Sequence, residues 1–190
     1  MKRRVLELQT LRGIFLSGLV SGASLATIMT AWQIAQRLPR TAADPPAELR
    51  ERGLAFPVEG ASGPMTDSFD DPRGSTRRHH AVDIMAPRGS PVHAADAGTI
   101  VKLANGGAGG ITIQQLDSTD RYCYYYAHLQ GYAPGLREGQ SVVRGEVIGY
   151  VGTTGNAPAS APHLHFAISR VDERKDCWGG TPINPYSLLR

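Results

Sequence analysis

The 190-residue sequence is poor in cysteine, with only Cys123 and Cys177 and no CxxC pair. That excludes a thiolate metal cluster and a CxxC redox motif. In an oxidising compartment the two could join as a Cys123–Cys177 disulfide, a pairing the spacing leaves open. Lysine is nearly missing beyond the N-terminus, where only Lys102 and Lys175 remain. The stretch SVVRGEVIGYVG looks like a hairpin of a biotinyl or lipoyl carrier module, but such modules need a lysine at the tip, and neither lysine stands there. A basic stripe interleaved with aromatics is also lacking, and the net charge is only +3, so nucleic acid is excluded as a partner. The glycines of NGGAGG (105–110) are followed by no helical pattern and no Lys-Ser or Lys-Thr pair. They form a turn rather than a phosphate cradle. Past Gln36 no long stretch has helical period.

What is present divides the chain into four parts. Residues 1–12 are a basic leader with Lys2, Arg3, Arg4 and Arg12, expected on the cytoplasmic side. Residues 13–36 carry no formal charge and are long enough to cross a bilayer as a transmembrane anchor. A cleaved signal peptide is the competing reading, because Ser24-Leu25-Ala26 offers small residues for a signal peptidase. Either way the remainder is exported. An uncleaved anchor predicts an inner-membrane protein with its main domain in the periplasm, and cleavage predicts a secreted one. Residues 37–53 are rich in proline, alanine and charge and read as a linker. From residue 54 to 190, glycine becomes frequent and short apolar runs recur between turn signals, as in GGITIQQL, RYCYYYAHL and HLHFAISR. This pattern predicts an all-β domain, a compact antiparallel sandwich or partly closed barrel.

The chemistry concentrates in histidine. In PHLHF, strand alternation puts His163 and His165 on one face and Leu164 and Phe166 on the other. In RRHHAVDIM, His79 and Asp83 are four apart and share a face, which leaves His80 outside or at the edge. Four extended residues span about 13 Å, so a local bulge must bring the pair together. In RYCYYYAHL, parity places His128 on the face of Tyr122, Tyr124 and Tyr126. Tyr124 and Tyr126 then either line a groove or pack, and Asn156 lies on a loop that is near the site or a simple turn. A catalytic zinc takes three N and O ligands and keeps a position open for water. Two histidines and a carboxylate meet that need and leave two histidines for acid–base work.

Four motifs in order, HxxxD, YAHL, the V-x-x-G-x-x-I-G-x-V-G-x-T-G run from Val142 to Gly155, and PHLHF, resemble the lysostaphin-like (LytM-type) zinc metallopeptidases that cut peptidoglycan peptides. The resemblance covers the chain from about Phe56 to the C-terminus. It implies a small antiparallel β-fold with the site in a groove. One Zn2+ per chain would be held by His79, Asp83 and His165, with His128 and His163 as the catalytic histidines. Ala81 stands where the family commonly has glycine, and Ala167 where it often has glutamate; neither is a ligand or catalytic position. Since every ligand position is kept, the resemblance implies an active endopeptidase acting on peptidoglycan stem peptides or cross-links. The alternative is a non-catalytic wall-binding regulator of another hydrolase.

Overall fold

The computed structural model describes residues 46–172 and 177–190. The leader and the expected membrane segment, residues 1–36, lie outside them. The described chain opens with a helix, α1 (Ala47–Arg52), preceded by Pro46 and stopped by Gly53 in the left-handed region at φ 62°. This corrects the reading of 37–53 as a linker throughout. A single apolar side chain is the reason, because Leu49 is completely buried in the domain's core. Arg52 adds bonds to Asp96 (2.9 Å) and Asp117 (3.0 Å).

Eleven strands follow, and their pairings are antiparallel. β1 (Pro72–Arg73) and β2 (Arg77–Arg78) make a separate short hairpin. The others are β3 (Val82–Met85), β4 (Pro91–His93), β5 (Gly98–Gly106), β6 (Gly110–Asp117), β7 (Tyr122–Tyr132), β8 (Ser141–Val142), β9 (Val147–Val151), β10 (His163–Arg170) and β11 (Thr181–Ile183). They form one nine-stranded sheet with the path β11-β10-β7-β6-β5-β8. Along the edge of β10 away from β7, β3 pairs with the first half and β11 with the second. β7 also forks: Tyr122–Ala127 pairs with β10, while Leu129–Tyr132 pairs with β9, which carries β4. The expectation of an all-β antiparallel domain holds, but the sheet branches where a barrel would have to close.

Alternation along the central strands separates the core from the groove. Leu164, Phe166 and Ile168 point into the core with Tyr124 and Tyr126. The buried phenols need partners, and they have them. Tyr124 donates to Asp96 (3.0 Å), and Tyr126 donates to Gln115 (2.8 Å) while accepting from the Ala95 N–H (2.9 Å). Burial pushes both phenols well above their usual pKa, so they stay neutral donors. The opposite face of β10 presents His163, His165, Ala167 and Ser169.

Candidate metal centre

β10 and β3 set the first two functional groups opposite each other, since the register pairs His165 with Asp83. The third arrives through a break in the backbone. His79 follows β2, and His80, with φ 55°, turns the chain sharply before β3. The left-handed residue does the work expected of a bulge, bringing His79 Nε2 to 3.0 Å from Asp83 Oδ1. His165 Nδ1 lies 3.1 Å from the same oxygen and 3.0 Å from His79 Nε2. His80 stays out of the triangle, at its edge, where it lines the groove with its ring against Phe69.

These three donor atoms form a near-equilateral triangle, and their hydrogen bonding argues for a cation at its centre. Nδ1 of His79 donates to the Ser68 carbonyl (3.1 Å), so in the Nδ1–H tautomer Nε2 turns a lone pair towards the carboxylate oxygen. Two lone pairs held face to face repel unless a proton or metal ion lies between them. Tetrahedral zinc with bonds of about 2.0–2.1 Å requires ligand atoms about 3.3 Å apart, close to the spacing observed. His79, Asp83 and His165 are therefore a donor set of the right chemistry and size for such an ion. Burial opposes the charge on Asp83, yet the His165 and His79 rings hold its carboxyl well below the usual range. Arg73 from β1 adds a 2.7 Å ion pair to Asp83 Oδ2. Burial lowers the pKa of His165, which favours the neutral ring a metal requires.

His128 and His163 stand beside this triangle, their ring centroids 4.9 Å apart. His163 donates Nδ1–H to the Ala161 carbonyl (2.8 Å), and its Nε2 lies 3.9 Å from Asp83 Oδ1. His128 donates Nδ1–H to the Thr154 carbonyl (2.9 Å), and burial lowers its pKa. Both rings thus keep Nε2 free. The structure brings all five sequence-identified residues, His79, Asp83, His128, His163 and His165, to one place.

Strand parity located His128 on the wrong face. Ile113 pairs with Tyr126 and Ile111 with Leu129, so β7 carries one extra residue against β6. His128 sits in that bulge with φ 62°, and the alternation resets across it. Tyr124 and Tyr126 accordingly belong to the core and not to the groove. Tyr125 is the groove tyrosine, with its ring 6.0 Å from that of His165. Asn156 is exposed, and its backbone N–H bonds the Ala108 carbonyl (2.9 Å).

Three further groups support the site, although the sequence reading gave none of them a role there. The Gly109 carbonyl accepts the His128 backbone N–H (2.9 Å), which ties the NGGAGG turn to the site. The Thr154 hydroxyl donates to the Leu129 carbonyl (2.7 Å) and accepts the Ile111 N–H (2.9 Å) while its carbonyl holds the His128 ring. Trp178 lines the groove with its ring 4.7 Å from that of Tyr125. A disulfide between Cys123 and Cys177 (Cα–Cα 5.5 Å) fastens the neighbouring residue to β7.

A histidine–aspartate–histidine triangle with two free imidazoles on the floor of an open antiparallel groove has the make-up of a metallohydrolase. The chain belongs to peptidase family M23, whose model matches residues 77–185. It is 35% identical over 150 residues to an L-Ala–D-Glu endopeptidase of Bacillus subtilis, covering 75% of this chain and 44% of that protein. It is 36% identical over 115 residues to the DD-carboxypeptidase/endopeptidase Mpg of Neisseria meningitidis, covering 59% of this chain and 23% of that one. Among solved structures, the catalytic domain of the antimicrobial peptidase lysostaphin from Staphylococcus simulans superposes with a TM-score of 0.52 at 26% identity. That match covers 77% of this chain and 98% of the lysostaphin domain. The chain thus spans less than half the length of these two curated relatives. The resemblance read from the sequence motifs holds.

Proposed function

We propose that this protein is a zinc-dependent endopeptidase that hydrolyses peptide bonds in peptidoglycan stem peptides or their cross-links. The observation that carries the reading is the His79–Asp83–His165 triangle with two further imidazoles whose Nε2 atoms are free. One Zn2+ bound by those three residues would supply Lewis acidity and a water acidified to about pKa 7. The chain's own contribution is proton handling and charge placement. Of His128 and His163, one ring accepts the proton of the attacking water at Nε2. The other, held by its Nδ1–H bond to a backbone carbonyl, donates from Nε2 towards the oxyanion of the tetrahedral state when it carries its second proton as imidazolium. The names of the relatives, for L-Ala–D-Glu and for DD bonds, support a stem-peptide substrate.

Such a substrate lies outside the cytoplasmic membrane. The uncharged segment 13–36 supports an exported protein anchored in the inner membrane with its β-domain in the periplasm. The Cys123–Cys177 disulfide suits that oxidising compartment. The test is digestion of purified sacculi by the full chain, with and without a zinc chelator, followed by mass spectrometry of the released fragments. Chelator-sensitive peptide cleavage is expected, and the fragments name the bond. Zinc binding with no release from several wall types would overturn the enzyme reading in favour of a wall-binding regulator.

A further inference from the structure

The metal centre occupies only one part of its groove. The cavity of ≈ 490 Å³ also takes in Arg77, Tyr125, Trp178 and Pro182. Among the described residues its lining includes two arginines, Arg77 and Arg78, and no carboxylate. Arg78 is engaged, donating to the Asp70 carbonyl at 2.7 Å. Arg77 is exposed and borders both this groove and the shallower one formed by the β1–β2 hairpin. A guanidinium with five donors suits a carboxylate, which it can bind with two parallel hydrogen bonds.

Trp178 belongs to the same groove. Its side chain is 68% exposed, an unusual placement for the largest apolar surface a residue can offer. It is nonetheless held in place. The disulfide anchors Cys177 to Cys123, Cys123 shares a strand face with Tyr125, and Tyr125 meets the Trp178 ring edge-on. A covalently fixed aromatic wall beside an available guanidinium fits a peptide that carries negative charge. A glycine-only bridge offers neither a charge for the arginine nor a side chain for the wall.

We propose that this half of the groove is a specificity subsite for a carboxylate-bearing segment of the stem peptide, with Arg77 binding the carboxylate and Trp178 covering the adjoining chain. The inference rests on the peptidoglycan reading above and adds residues that choose among its peptides. Its test reads binding rather than turnover, so the two fail separately. The zinc-loaded full chain carrying His163→Ala is titrated calorimetrically with the tetrapeptide L-Ala–γ-D-Glu–diaminopimelate–D-Ala. The same peptide with its glutamyl and diaminopimelyl carboxylates amidated is the comparison. The free acid should bind about tenfold more tightly, the worth of one charge-assisted contact. Arg77→Gln should erase the preference, Arg77→Lys should restore part of it, and Trp178→Ala should weaken both peptides alike. Equal affinity for acid and diamide, no binding of either, or a preference that survives Arg77→Gln overturns the proposal. Selective binding by a chain that cleaves no sacculus would overturn the peptidase reading and leave the subsite standing.

Discussion

At the scale of single residues, the five site residues divide by the atom each commits. His79 and His165 turn a ring nitrogen to Asp83 Oδ1, whereas His128 and His163 spend Nδ1 on backbone carbonyls and leave Nε2 free. Alanine at His79, Asp83 or His165 should remove zinc and activity together. Alanine at His128 or His163 should retain one zinc per chain, read by atomic absorption, while kcat falls by about 10²–10⁴-fold. Turnover near wild type in either variant would break the assignment of roles. A different residue governs stability. Asp117 is buried and accepts from the backbone N–H groups of Arg121 (2.8 Å) and Tyr122 (2.9 Å), from Thr119 (2.5 Å) and from Arg52 (3.0 Å). Burial alone would raise its pKa, but these bonds outweigh it and hold the carboxyl below the ordinary value. A depressed carboxyl stabilises the fold above the unfolded-state pKa of about 3.9, and that stability is lost as pH falls through the lower folded-state value. Asp117→Asn should therefore cost about 3 kcal/mol in urea unfolding at pH 7 and less near pH 3. An equal cost at both pH values would show that the charge is not what matters there.

At the scale of elements, legibility depended on how regular the strand was. β10 is unbroken, so two-residue alternation placed His163 and His165 on the groove face and Leu164 and Phe166 in the core. β7 looks equally regular in sequence, but the extra residue at His128 resets the alternation, so parity wrongly set His128 on the face of Tyr124 and Tyr126. A bulge is cued by glycine when it requires positive φ, and here a histidine takes that conformation. The turn at His80 is hidden in the same way. Long-range holding by the Gly109 and Thr154 carbonyls was invisible because a backbone acceptor has no residue type, although Thr154 itself stands in the Val142–Gly155 run. The bulge in turn relies on Gly110, with φ 67°, where a Cβ would run into Thr154 and the backbone of Gly155. Gly110→Ala should push away the carbonyl that holds the His128 ring. A loss of about 2–4 kcal/mol of stability is expected. With zinc content unchanged, kcat should fall at least tenfold; an unaltered kcat would free His128 from this loop.

At the scale of the whole molecule, the question is where the folded domain begins. Composition put the start at residue 54, because Pro45-Pro46 and the charges after them look like linker. A lone leucine among charged residues gives no periodic signal, so α1 escaped notice. Yet Leu49 is fully buried, Arg52 pairs with Asp96 and Asp117, and Glu48 reaches Arg121 (2.6 Å) and the Tyr122 hydroxyl. Losing a buried leucine side chain costs about 2–5 kcal/mol. Removing Arg52 leaves two acids without their cation, a further cost of about 3 kcal/mol or more for buried groups. Domains of this size have about 5–15 kcal/mol in total. A fragment of residues 54–190 should therefore unfold at much lower urea concentration than one of residues 41–190, or show no cooperative transition. Leu49→Ala in the longer fragment should move the midpoint part of the way. Equal midpoints for the two fragments would mean that α1 rests on the domain without stabilising it, and that the domain begins where the composition changes.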